Sequence, residues 1–253
     1  MKALVRAIVA AAVVLVTGCA TTGNGAAQKL DPWENWNRKV FGFNEVVDEN
    51  VLVPVATAYK DVVPELVRRG ISNVFNNVYD VWSSVNHLLQ GKVISGLNGM
   101  MRVGVNTAFG LGGLLDPASE MGLTLDPEDF GQTLGVWGVG SGAYVVWPLL
   151  GPSTLRDTAG LPLDRSATPA TLVDDSGARV GIGSLQLINQ RASLLGAGQL
   201  LDQIAFDKYT FLRDAYLARR RSLIHDGDPP PEPDSEPLEP LPEAPEPAAS
   251  DPK

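Results

Sequence analysis

The chain has 253 residues, a formal net charge of −9 and a single cysteine. Segment 226–253 carries ten of the 19 prolines, nine of the 29 acidic residues and −8 of the charge, so the rest is close to neutral. A near-neutral body gives no electrostatic case for a nucleic-acid partner, and one cysteine excludes an intrachain disulfide.

At the N-terminus, Lys2 and Arg6 flank the start of an unbroken apolar run over residues 7–16. That run is far shorter than the roughly 20 residues of a spanning helix, so residues 1–18 read as a secretory signal. Val16-Thr17-Gly18-Cys19 follows: a hydrophobic residue, two small ones, then cysteine, the pattern of a bacterial lipobox. Cys19 is therefore the expected lipidation site, and no cofactor beyond its covalent acyl and diacylglyceryl groups is expected. One acyl chain holds a protein only weakly, at about 0.8 kcal/mol per buried methylene, whereas two or three make attachment effectively permanent. Ala20, where Asp would signal inner-membrane retention, favours the outer membrane. Residues 19–30 read as a lipidated linker.

Residues 31–225 are long enough for one domain with a real core. Their dominant period is helical. Asp31-Pro32 supplies a cap and a first-turn proline, and Trp33, Trp36, Val40, Phe41 and Val47 recur at helical spacing. A short helix is predicted over 54–63. A third begins at Pro64 and ends at Gly91, interrupted near Gly70, with Val74, Phe75, Val78, Trp82, Val85 and Leu89 on one stripe. Residues 93–109 follow with Gly96, Gly99, Gly104 and Ala108, a small-residue pattern that admits close approach of a helix or a lipid chain. Asp116-Pro117 and Asp126-Pro127 repeat the cap-then-proline signal. Only 143–147 looks like a strand, half of a hairpin, and two long C-terminal helices complete a mostly α fold. The acidic, proline-rich segment 226–253 reads as an extended disordered tail.

The wide apolar faces and the five tryptophans fit two readings: an ordinary helical core, or a body sunk in one leaflet with tryptophans at headgroup level. Catalytic chemistry finds little support. His225 adjoins the tail, His87 lies on a helix, and Ser141 has no nucleophile-elbow context. Neither the lone cysteine nor the two histidines have metal-ligand spacing, so neither an enzyme nor a metal site is expected. Gly138, Gly140 and Gly142 alternate ahead of a strand with no lysine following, which is not a phosphate loop. They fit a tight hairpin or a close backbone approach. The basic run at 219–221 fits a helix C-terminus, with lipid headgroups or an acidic partner as the alternative.

Several ordered motifs carry a resemblance: "DPWENWNRKVFGFNEVVDENVLVPVATAYKDVVP", "VNHLLQGK", "NTAFGLGGLLDPAS", "DFGQTLGVWGVGSGAYVVWPLLGPSTLRD" and "FLRDAYLARRR". Over about residues 30–225 the chain resembles the MlaA (VacJ) family of outer-membrane phospholipid-transport lipoproteins. It departs from the family pattern at Ala143, where proline is usual, and at Arg102-Val103, where Arg-Phe is usual. The proline-rich tail is poorly shared.

The resemblance implies a ring-like body of amphipathic interfacial helices, lipid-anchored in the periplasmic leaflet of the outer membrane beside trimeric porins. Such a ring passes mislocalised phospholipids to a soluble periplasmic carrier and so maintains lipid asymmetry. The competing function is a structural lipoprotein adaptor, associated with porins or the envelope, without transport. The polar residues inside otherwise apolar motifs, Asn44, Arg102, Asn106, Arg156 and Asp157, are candidate conduit-lining groups. Each equally fits an internal hydrogen bond or an Arg-Asp pair. Gly138, Gly140, Gly142 and Tyr144 are the candidate hairpin or partner surface.

Overall fold

The computed structural model describes residues 30–124 and 126–230. The expected signal, the lipidation site Cys19, most of the linker and the tail from 231 onward lie outside the described residues.

Among the described residues the fold is mostly α with one small hairpin. Helix α1 (Glu34–Val47) runs through a π turn (Asp48–Leu52) into α2 (Val53–Val62). Then come α3 (Glu65–Leu89), α4 (Val93–Phe109), the one-turn α5 (Pro117–Glu120) and α6 (Phe130–Val136). Strands β1 (Tyr144–Trp147) and β2 (Gly151–Thr154) pair antiparallel, Tyr144 opposite Thr154 and Trp147 opposite Gly151. The chain closes with α7 (Leu155–Ser166), a 3-10 turn (Pro169–Leu172), α8 (Ser176–Ser193), α9 (Leu195–Ile204) and α10 (Lys208–Ile224).

Several local expectations change. Helix α3 continues through Gly70, because that glycine is buried with the Leu114 side chain where a Cβ would sit. The first helix is not capped by Asp31. Its side chain instead accepts from Asn37 Nδ2 (2.8 Å) and the Tyr209 hydroxyl, joining the ends of the described chain. Asp126-Pro127 does not start a helix; Asp129 does, its carboxylate accepting from the Gln132 amide. The last two helices are three, because Asp207 caps a new start at Lys208. Helix α7 carries Pro162 in its interior, a residue that argues against a helix when the sequence is read alone.

The hairpin turn also lies elsewhere than the alternating glycines. Gly138 (φ +92°) ends α6: its amide bonds the Gly135 carbonyl and the Val139 amide bonds the Leu134 carbonyl, a Schellman stop. The turn itself is 148–150, where Leu149 adopts φ +61°. Tyr144, a candidate for the hairpin or a partner surface, is the first residue of the hairpin strand β1, but it is 1% exposed and packs with Val40, Val146 and Tyr209 in the main apolar cluster.

Candidate functional site: a polar interior inside an apolar exterior

Polarity is distributed inside out. Among the described residues sixteen polar or charged residues are buried against nine apolar ones, while forty large apolar side chains are exposed. In a water-soluble domain of this length the balance runs the other way. Helix α4 shows the pattern on one element: Ile94 (85% exposed), Leu97 and Met101 face out, whereas Gly96, Gly99 and Asn106 are buried. Trp33, Trp36, Trp137 and Trp147 are all exposed, which favours the leaflet-sunk reading over an ordinary aromatic core. No helix of the described residues is long and apolar enough to cross a membrane.

Three networks gather the candidate polar residues, beside further buried bonds such as those that tie Gln90 to Glu128 and Thr133. The first is built on α1. Asn37, fully buried, donates to the Tyr144 carbonyl (3.1 Å) and accepts from the Val146 amide (2.9 Å). Two turns on, Asn44 donates to the Trp147 carbonyl (3.0 Å) and accepts from the Leu149 amide (2.8 Å). Two side-chain amides thus act as the strand partner that the open edge of β1 lacks.

The second network joins α3, α4 and α5. Arg102 donates to Asp80 (2.8 Å), Asp116 (2.6 Å), Ser119 Oγ (2.7 Å) and the Leu123 carbonyl (2.8 Å). Asn106 donates to Asp116 (2.9 Å) and accepts from the Ala118 amide (3.0 Å). Burial pushes the Asp116 carboxyl up, but the donors Ser119, Arg102 and Asn106 outweigh it and hold it below its ordinary value. Asp80 stays above its ordinary value because burial outweighs Arg102.

The third network centres on Asp157. Its Oδ1 accepts from Arg156 Nη2 (2.8 Å) and Arg220 Nη2 (2.8 Å), and its Oδ2 from the Tyr216 hydroxyl (2.8 Å). Arg220 also grips Asp129. Burial raises the Asp157 carboxyl, but the charges of Arg220 and Arg156 prevail and lower it overall. The network needs two glycines. A Cβ on Gly131 would lie 2.7 Å from Asp157 Oδ1, and one on Gly160 would lie 2.8 Å from the Gly131 amide nitrogen.

Between the second and third networks lies a cavity of about 700 Å³, whose wall includes Tyr79, Asp80, Arg102, Asp129, Asp164 and Gln190. Arg102 lines it directly, and the Asp157 network reaches it through Asp129. Asn106 stands behind Arg102 through Asp116, and Asn44 belongs to the hairpin network. Glu128 and Asp164 reach the wall as well, the first paired with Lys92 (3.0 Å) and the second accepting from Trp82 Nε1 (2.8 Å). Sequence reading did not bring Arg220, Asp129 or Asp164 to this site; it offered Arg220 only within the basic run 219–221, where the structure buries it against Asp129 and Asp157. Arg220 had a signal: Tyr209, Arg213, Tyr216 and Arg220 recur on one face of α10.

A family model described as "MlaA lipoprotein" matches residues 29–223. The chain belongs to the MlaA lipoprotein family. It is 37% identical to the intermembrane phospholipid transport system lipoprotein MlaA of Escherichia coli (strain K12), over 85% of this chain and 86% of that protein. To the protein of the same name from Haemophilus influenzae it is 32% identical, over 89% and 92% of the two chains. A solved structure, described under the words "structural basis for maintenance of bacterial outer membrane lipid asymmetry", superposes with a TM-score of 0.66 at 37% identity. That match covers 77% of this chain and 98% of the other. These MlaA relatives span nearly the same length as this chain, and the shared fold is the mostly α one.

Proposed function

We infer that this protein is an outer-membrane lipoprotein that passes mislocalised phospholipids out of that membrane towards a periplasmic carrier, and so maintains lipid asymmetry. One observation carries the reading: an apolar exterior surrounds a polar cavity of about 700 Å³. A phospholipid headgroup drawn into hydrocarbon leaves its water behind, and each unsatisfied polar group there costs several kcal/mol. A cavity walled by Arg102, Asp80, Gln190 and Asp164 offers donors and acceptors in place of that water, while the exposed apolar faces remain in contact with acyl chains. The step is a transfer between environments and needs no covalent chemistry.

Anchorage at Cys19 in the periplasmic leaflet, porin trimers as neighbours and a soluble carrier as recipient complete the proposal. The family membership and the names of the MlaA relatives support it. The test is labelling of outer-leaflet phospholipid in a deletion strain. Surface phospholipid rises in the deletion, falls with the wild-type gene and stays high with Cys19→Ala. Unchanged surface phospholipid with altered porin assembly would support a structural adaptor instead.

A further inference from the structure

A second, apolar compartment lies against the polar cavity. It has a volume of about 360 Å³ and is walled by Val78 and Val81 of α3, Val103 of α4, and Ala167 and Leu172 beyond α7. Its polar wall residues, Asn77 and Thr107, bond each other (Nδ2 to Oγ1, 3.1 Å), leaving Asn77 Oδ1 as one open acceptor. No cation lines it, so it has nothing to hold a phosphate.

The two compartments share one wall. Along α3, Asn76, Tyr79, Asp80 and Ser83 face the polar cavity, whereas Asn77, Val78 and Val81 face the slot, and Trp82 borders both. The Trp82 indole is fixed from the cavity side by its bond to Asp164 Oδ1. At the other end, Val81 and Leu172 are exposed, so the slot opens onto the apolar exterior.

We propose that the slot seats one acyl chain of the phospholipid whose headgroup occupies the polar cavity, with Trp82 as the divider between the two ends of the molecule. The proposal rests on the phospholipid reading above. A small polar molecule fits only the cavity and a hydrocarbon only the slot, whereas a molecule with a polar head and an apolar chain fits both at once. Each volume lies within the roughly 300–1,000 Å³ of ordinary ligand sites.

The test uses the full chain with Trp82 as its sole tryptophan, Trp33, Trp36, Trp137 and Trp147 being replaced by phenylalanine. The probe is a phosphatidylethanolamine brominated in its sn-2 chain, added in detergent micelles. Saturable quenching of Trp82, competed by the unbrominated lipid, is expected. It is lost in Ala167→Phe and in Val81→Phe, which fill the slot from the segment after α7 and from α3. In cells, either variant, present at wild-type amounts in the membrane, should raise surface phospholipid as the deletion does. Non-saturable quenching, or full rescue by both filled-slot variants in a strain whose deletion does raise surface phospholipid, overturns the slot. A deletion that leaves surface phospholipid unchanged overturns the transport reading instead.

Discussion

Asn37 and Asn44 show what a single side chain decides here. Each amide bonds a donor and an acceptor on β1 or its turn, although the Trp147 carbonyl held by Asn44 also accepts from the Leu150 amide (3.3 Å). Replacing Asn37 by leucine strands an amide and a carbonyl in the core, at about 1–3 kcal/mol for each group. A thermal melt in detergent should show Asn37→Leu well below wild type, with Asn44→Ala milder because that site is only half-buried. The carboxylates give a pH signature. Asp157 is held low, so its stabilising contribution is full above the unfolded carboxylate value of about 3.9 and is lost as pH falls through the lower folded value. Asp80 and Asp164 are held high, chiefly by burial, so they protonate first and relieve a strain as they do. Stability measured by denaturant titration should therefore hold or rise from neutral towards mild acid and drop only below it. Asp157→Asn should shrink the acid drop, leaving the share of Asp116, and destabilise at neutral pH by about 3–5 kcal/mol, because the buried Arg156 loses its carboxylate and Arg220 keeps only Asp129.

At the scale of elements, glycine separates packing from permissiveness. Gly160 is where α7 crosses α6, and an added Cβ would meet backbone that cannot swing aside. Gly160→Ala should destabilise by about 1–3 kcal/mol through overpacking, despite alanine's better helix propensity. Gly104 has nothing within 4 Å of the same imaginary atom. Gly104→Ala should stabilise by up to about 1 kcal/mol, and comparing the two melting shifts tests the crossing directly. The small-residue stripe of α4 was legible in the sequence, but not its division. Gly96 packs against Leu88 and Ser84 of α3, whereas Gly104 faces outward. Helix α7 was illegible because Pro162 and a weakly periodic sequence hide it. The capping Thr154, which accepts from the Asp157 amide, becomes recognisable only once β2 has delivered the chain there.

Over the whole molecule, the exposed apolar surface should bind membranes without the acyl anchor. A chain lacking residues 1–29 should float with phospholipid vesicles in a density gradient. Ile94→Glu with Phe109→Glu, both on α4 and highly exposed, should reduce flotation while leaving the melting temperature nearly unchanged. Equal flotation of the double variant would locate the membrane-contacting face elsewhere.

The sequence by itself determined the helical class, the position of most helices and, through its ordered motifs, the family. These are local properties: period, caps and motif order are written in consecutive residues. It also offered Arg102, Arg156 and Asp157 as polar residues in apolar surroundings. Their partners, Asp80 and Asp116 for the first, Asp129 and Arg220 for the group around Asp157, come from distant segments. Only the tertiary structure decided that helices with such apolar faces turn them outward, and that Asn44 serves the hairpin while Arg102 lines the cavity. The physical reason is that an amphipathic period fixes which residues share a face, but not whether that face meets a core or a lipid. That choice depends on where the remaining polar groups find their hydrogen bonds, and here they find them in one another.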